Sequence, residues 1–250
     1  MRKICFHIQK GGVGKTSISG TVASALARRG KKTVFVDADP QGNASSWYCG
    51  EKIRHDIGDL LARRSKLQEV LQEITPSLSM VPVIAIGGTL KKWSETELAA
   101  DPKAFEFLIQ DLGGMGFEYA VFDCSPSFSQ LERAIIAEMD EVVSPLSPEY
   151  FSIDGIEIFT TELREIEQKY RRRIRNDKIA LNMLNKSFSR HRAFQEALEK
   201  LDYTIFTIPQ DAKIAECQIA HKSLFDFAPQ SKAIASFEAL TDALLSAKEG

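Results

Sequence analysis

The sequence predicts an α/β fold, a mostly parallel twisted sheet with helices on both faces. Three observations carry this. Runs such as ICFHI (4–8), TVFVDAD (33–39) and YAVFDC (119–124) are apolar almost throughout, as strands covered on both sides must be. Amphipathic stretches of helical length separate them, which gives the alternation of a doubly covered sheet. A glycine-rich turn, KGGVGK, stands at the first strand–helix junction, the edge where parallel sheets carry their ligand loops.

The elements follow in order. After strand 4–8 and the glycine turn, TSISGTVASALARRG (16–30) has helical periodicity and ends on Gly30, a C-cap residue. Strand 33–39 comes next. Residues 45–101 are the least regular stretch. There IGDLLARR (57–64) and KLQEVLQEI (66–74) read as a helix pair, and IGGTLKKWSETE (86–97) as a loop. Strand 119–124 leads to helix LERAIIAEMD (131–140) and strand EVVSPL (141–146). A long helix from about Asp154 to Arg171 precedes strand KIALNML (178–184). Helix HRAFQEALEKL (191–201), strand YTIFTIP (203–209) and two helices around 211–220 and 231–245 close the chain. With no internal repeat or low-complexity linker, residues 1–250 read as one domain.

A hydrophobic content of 44% and a charged content of 26% fit a chain that folds around a buried core. No apolar run reaches the roughly 18 residues needed to span a bilayer, and the N-terminus lacks a signal-peptide pattern. Cys5, Cys49, Cys124 and Cys217 lie far apart without metal or CxxC spacing, which fits a reduced cytoplasmic compartment. The net charge of −2 argues against an obligate nucleic-acid binder, yet it hides an asymmetry. From Lys169 to Lys200 the chain carries +7, so the remainder carries −9. A single-sign segment of this kind is a candidate binding footprint. KYRRRIR within it reads equally well as the solvated end of a long helix, where cations favour the dipole.

The chemistry centres on QKGGVGKTS (9–17), which nearly matches the phosphate-loop pattern G-x-x-x-x-G-K-[ST]. Gln9 stands where the first glycine is due, and Lys10 follows it. Gly11, Gly12, Val13, Gly14, Lys15, Thr16 and Ser17 lie between strand and helix, as such a loop requires. Its N–H groups and the helix N-terminus would cradle phosphates, Lys15 would neutralise them, and the Thr16 hydroxyl would ligate Mg²⁺. Asp37, Asp39 and Asp123 end two apolar strands, where a triphosphate site needs carboxylates for its metal. Each taken alone also reads as a helix cap or turn residue. His7 reads as a hydrogen-bonded core histidine, and Trp47, Tyr48 and Trp93 as packing or interface residues. Cys124 and Ser125 have no nearby histidine to make them a nucleophile.

KGGVGKTS, followed by VDADPQGN and FDCSPS, resembles the deviant Walker ATPases of the ParA/MinD class, P-loop NTPases of the SIMIBI group. The likeness is strongest to the ParA (Soj) branch, and the tail IPQDAKIAECQIAHKSLFDFAPQS extends it. Residues from about 47 to 118 carry none of it. The resemblance implies a P-loop NTPase fold, ATP and Mg²⁺ as cofactors, and a homodimer formed with ATP. It implies that Lys10 is a signature lysine reaching the partner subunit's nucleotide, while Lys15 serves its own. It assigns Asp39 to the attacking water, and Thr16, Asp39 and Asp123, with Asp37, to Mg²⁺, partly through water. Pro209 and Asp211 fall in the loop beside the adenine. Lys186, Arg190, Arg192 and Lys222 are the implied contacts to non-specific DNA. The implied function is chromosome or plasmid partitioning from a cytoplasmic, nucleoid-associated pool. Slow hydrolysis would be stimulated by a ParB-type partner, without stable membrane association.

Three departures stand out. Ser125 replaces a proline of the family's D-x-P-P, and His221 replaces the glycine usual before Lys222. The chain also begins at the phosphate-loop strand, so a short form without a helix-turn-helix extension is expected. The alternative function is a MinD-like switch positioning a membrane or protein cargo. It needs a basic amphipathic C-terminal helix, and DALLSAKEG is poor in cations. A relative of the nitrogenase iron protein is disfavoured, since neither Cys49 nor Cys124 has cluster-ligating surroundings.

Overall fold

The computed structural model of the chain describes residues 1–50, 53–101, 103–148 and 152–246. Eight strands form one sheet: β1 (Arg2–Phe6), β2 (Thr33–Asp37), β3 (Gln72–Thr75), β4 (Leu78–Val81), β5 (Tyr119–Asp123), β6 (Glu141–Leu146), β7 (Arg175–Leu184) and β8 (Thr204–Pro209). Their order is β3-β4-β2-β5-β1-β6-β7-β8, and only the β3–β4 pair is antiparallel. β1 lies between β5 and β6. From β1 the chain crosses to β2 on one side, while β6, β7 and β8 extend the sheet on the other. β1 is therefore a switch point, where crossovers diverge and open a crevice at the carboxyl ends of the strands.

The uniform apolarity of the strands has its expected cause. Successive residues of β1 face opposite layers: Ile4 and Phe6 join one core, Cys5 the other. The first core lies under α1 (Lys15–Arg28) and the C-terminal α12 (Ile234–Ser246), with Val22, Leu26, Phe237 and Leu240 fully buried. The second lies under α6 (Ala104–Gly114), α7 (Gln130–Ala137) and α8 (Ser152–Tyr170), with Leu112, Ile135 and Phe159 buried. Short helices α2 (Asn43–Cys49), α3 (Ile57–Leu61), α4 (Leu67–Val70) and α5 (Leu90–Thr96) fill the first half of the chain. The second half adds α9 (Ser189–Leu198), α10 (Lys213–Ile219) and α11 (Leu224–Phe227). Residues 247–250, part of the tail used to weigh the membrane alternative, lie outside the described residues.

The irregular stretch differs from its sequence reading. KLQEVLQEI is one helical turn followed by β3, which pairs back on β4 across Pro76 and Ser77. IGGTLKKWSETE contains α5, which buries Leu90 and Trp93. Buried Asp56 ties α3 to the segment before α5: it caps α3 through the Asp59 N–H and accepts from the Ile84 N–H (3.1 Å) and the Thr89 hydroxyl (2.9 Å). Gly58 permits this closeness, since a Cβ there would meet the Leu90 nitrogen at 2.2 Å.

The basic segment is only partly a surface. Lys178 lies inside the sheet edge, paired with buried Glu141 (2.8 Å) and with Asp177 (2.8 Å). Arg172 pairs with Glu138 at 2.6 Å. These two cations serve the fold, and the charge excess overstates what faces solvent.

Candidate active site

The register sets the site. Asp123 lies opposite Phe6 on one side and Asp37 on the other, so β1, β2 and β5 end at one level. Asp37, Asp39, Asp123 and the glycine turn therefore gather at the switch-point crevice. In the turn, Gly12 and Gly14 take φ of 75° and 90°, a region side chains resist. Gly14 is also crowded, because a Cβ would lie 2.2 Å from Asn182 Nδ2. Asn182, buried in β7, donates to the Val13 carbonyl at 3.0 Å and braces the loop from below.

Lys15 opens α1 and is 7% exposed. Its ammonium donates to the Lys10 carbonyl (2.6 Å) and reaches the Ile8 carbonyl (3.5 Å), so it lies folded under the loop. Burial lowers its pKa, and the charges of Asp123 and Asp39 oppose that. Asp123 is fully buried; Oδ1 accepts from the Ser19 hydroxyl at 3.1 Å, and Oδ2 has no partner. Burial and the neighbouring Asp37 push its pKa up to about 8. Asp37 is tied into the turn instead: it accepts from the Ser45 N–H (2.8 Å), the Ser45 hydroxyl (2.7 Å) and the Asp39 N–H (3.1 Å). Burial raises it to about 7. Asp39 is nearly buried at the crevice and accepts from the Gln41 N–H at 2.9 Å. Burial raises its pKa, opposed by that hydrogen bond and by Lys15.

The remaining expected residues divide. The Ser17 hydroxyl accepts from Gln218 Nε2 at 2.6 Å, which ties the loop helix to α10. Pro209 lines a cavity of about 380 Å³ with Asn185, Lys186 and Gln210, whereas Asp211 is engaged by the Lys213 N–H and the Ser231 hydroxyl. Lys186, Arg190 and Arg192 come together after β7. Arg192 donates to the Lys186 carbonyl (2.5 Å), and Arg190 lies over the Phe188 ring. Lys222 belongs to a different neighbourhood: its carbonyl accepts from Trp47 Nε1 at 2.9 Å. His221 has φ of 52°, a conformation glycine adopts freely, and its ring pairs with the Trp47 carbonyl at 3.1 Å. That contact anchors the side chain at the position where the sequence resemblance implies a glycine.

His7 is a core residue, but its ring is not hydrogen-bonded. It packs on Phe128 and Phe159 at 5.5 and 5.4 Å, and neither ring nitrogen has a protein partner. Burial pushes its pKa down to about 4. The unfolded chain takes up a proton near pH 6.5 and the folded chain only near 4, so acid favours unfolding. This histidine is expected to remove about 3 kcal/mol of stability between pH 7.5 and 4. Urea titrations across that range should show a shallower pH slope in His7→Leu; an unchanged slope refutes the assignment.

Sequence reasoning missed Asn182, Ser19 and Ser45, as well as Glu132, which is 1% exposed and accepts from three serines beside Asp39. For Asn182 a signal was present, a lone amide within the apolar run KIALNML.

Comparison with known proteins agrees with this geometry. Residues 1–176 match the AAA_31 family, an AAA domain. An uncharacterized protein of Borreliella burgdorferi is 41% identical over 98% of this chain and 99% of its own length. The chromosome-partitioning ATPase Soj of Thermus thermophilus is 28% identical over 98% of this chain and 96% of its own. Among solved structures, cobyrinic acid a,c-diamide synthase from Mycobacterium smegmatis, with bound ADP and magnesium, superposes with a TM-score of 0.82. It is 19% identical and covers 98% of this chain and 94% of its own. With its phosphate loop at the switch point and carboxylates on the adjoining strand ends, the chain belongs to the AAA_31 family and is a ParA/Soj-type P-loop ATPase.

Proposed function

We propose that the chain is an ATPase that dimerises with ATP, holds DNA without sequence preference and positions a DNA cargo in the cytoplasm, at the nucleoid. The convergence of Lys15, Asp39 and Asp123 at the end of β1 carries this reading. It is supported by the Soj relative, an ATPase named for chromosome partitioning. Among the described residues no helix is long and apolar enough to cross a membrane.

The residues present fit ATP and magnesium. Asp123 Oδ2 is a buried acceptor without a hydrogen-bond partner, at a strand end beside the glycine turn, and a metal-bound water would satisfy it. Among the described residues no three carboxylate, histidine or cysteine side chains converge into a metal cluster. That suits magnesium, which is held mainly by phosphate oxygens and water. When bound, magnesium neutralises charge on the β- and γ-phosphates. The N–H groups of Gly11, Gly12, Val13 and Gly14 and the start of α1 face the phosphates, with Ser17 closing the loop. Lys15 contacts them directly. Thr16 and, through water, Asp39 and Asp123 would hold the metal, and Asp39 would orient the attacking water. Pro209 bounds the adenine side, with Asp211 fixing that loop. Lys10 reaches the nucleotide of a second copy, which makes the dimer specific for the γ-phosphate.

The DNA face is formed by Lys186, Arg190, Arg192 and Lys222 in the dimer, where neutralising scattered phosphates suffices for non-specific affinity. A ParB-type partner accelerates the otherwise slow hydrolysis. Retention on random-sequence DNA is the test: it is expected with ATP, absent with ADP, and weakened by salt. Loss of that nucleotide dependence sinks the DNA assignment. Lys10→Ala is expected to bind ATP like the wild type but to dimerise less by light scattering, and equal dimerisation removes the trans role.

A further inference from the structure

A cleft of about 620 Å³ adjoins Asp39. Asp39, Gln41, Lys91 of α5 and residues between Ser125 and Glu132 line it. The loop from Ser125 to Ser129 connects Asp123 to α7.

Its centre is a carboxylate removed from solvent. Glu132 Oε1 accepts from the Ser125 hydroxyl at 2.5 Å. Oε2 accepts from the Ser127 hydroxyl (2.8 Å), the Ser129 hydroxyl (2.6 Å) and the Ser129 N–H (2.9 Å). The hydroxyl oxygens of Ser125 and Ser127 lie 2.8 Å apart, and with both protons given to Glu132 this is a close contact within the cluster. Ser129 and Glu132 alone make an ordinary capping box for α7. Such a box needs neither burial nor Ser125 and Ser127. Burying a carboxylate is costly unless its oxygens are satisfied, and here four donors satisfy them. Burial raises the pKa of Glu132, and the bonds from Ser125, Ser129 and Ser127 outweigh it and hold the group below the usual range. The anion therefore persists and grips the loop at three points.

The sequence resemblance described above implies a proline at position 125, where this chain has Ser125. A proline ring fixes φ and stiffens a loop without any partner. This chain lacks that ring and has a hydrogen bond to a buried anion at the same position.

We propose that Glu132, gripped by Ser125, Ser127 and Ser129, is a positioning residue for ATP hydrolysis. It holds the cleft lining beside Asp39 and acts on kcat rather than on nucleotide affinity. This rests on the ATPase reading above. Steady-state kinetics with ATP, together with thermal melting, test it. Glu132→Gln is expected to lower kcat roughly 10- to 100-fold with KM within threefold, the scale on which misplacing a catalytic group by about 1 Å acts. Ser125→Pro, added to Glu132→Gln, is expected to restore most of that loss, since the ring replaces the grip. Ser125→Ala and Ser127→Ala, milder changes that spare the capping box, are expected to lower kcat several-fold without shifting the melting midpoint. The proposal is overturned if Glu132→Gln turns over like the wild type, if the proline gives no rescue, or if kcat, affinity and melting midpoint fall together. It is overturned equally if Ser125→Ala and Ser127→Ala are silent. A wild-type chain without ATPase activity overturns the underlying ATPase reading instead, a result these variants cannot mimic.

Discussion

Lys15→Ala is expected to lose nucleotide affinity by at least about 30-fold and up to ~10³-fold, the effect of removing one member of a desolvated, hydrogen-bonded charge pair. The size follows from what the fold has already arranged. The Lys15 side chain lies under the loop with its ammonium on the Lys10 and Ile8 carbonyls. Burial works against its charge, and Asp123 and Asp39 sustain it. The cost of ordering a long flexible side chain is therefore met before a phosphate arrives, which is the sense in which a site is preorganised. Alanine removes the cation and leaves two buried carboxylates facing the phosphates. Lys15→Arg is a sharper probe, because it keeps the charge in a planar group that this narrow space does not fit. It is expected to bind as poorly as alanine. Calorimetric titration with ATP decides both, and binding within threefold of the wild type by either variant refutes the role given to Lys15.

The parts of the fold legible in the sequence are those fixed by local pattern. β1, β2, β5 and β6 each carry a short run of buried apolar residues because two helical layers cover both their faces, so composition reveals them. β3 is legible to no such test. QEIT has alternating half-exposed and exposed residues at the sheet edge, and Leu67, Val70, Leu71 and Ile74 before and within it keep helical spacing. Pairing across Pro76 with β4 decides its state, and that is a tertiary fact. α5 was obscured by the two glycines before it: Gly87 takes a φ of 78°, and a Cβ on Gly88 would lie 2.8 Å from the Asp56 carboxylate.

The candidate site divides in the same way. Lys15, Thr16, Asp39 and Asp123 were legible because their motif is continuous or ends a strand. Asn182 was not, since it meets the Val13 carbonyl only when β7 packs beside the glycine turn; Ser45 and Glu132 have partners close in sequence, Asp37 and Ser125, which only the folded turns bring together. The basic segment was legible as charge, but the anions that engage Lys178 and Arg172 come from β6 and the turn before it.

Asp39→Ala is expected to bind ATP almost as the wild type does and to lower kcat roughly 10²- to 10⁴-fold, the range over which a positioned general base acts. The ATP-bound dimer should then persist, since the groups given to phosphate binding (Lys15, the loop N–H groups, Lys10) are untouched. The aspartate does two separable things. Its Oδ1 accepts from the Gln41 N–H and shapes the turn into α2, and its charge faces the crevice within reach of the Lys15 field. Asp39→Asn keeps an acceptor for Gln41 and removes the charge. If the charge orients and deprotonates the water, asparagine is as slow as alanine while melting like the wild type. If the turn is what matters, asparagine hydrolyses ATP normally and only alanine fails, and the water-activating role is then withdrawn. The Glu132 anion in the same cleft adds to the field that raises Asp39, so the two sites should not be independent. In a double-mutant cycle, Glu132→Gln should cost far less kcat on an Asp39→Asn background than on the wild type, because a loop positioned for an absent base has little left to position.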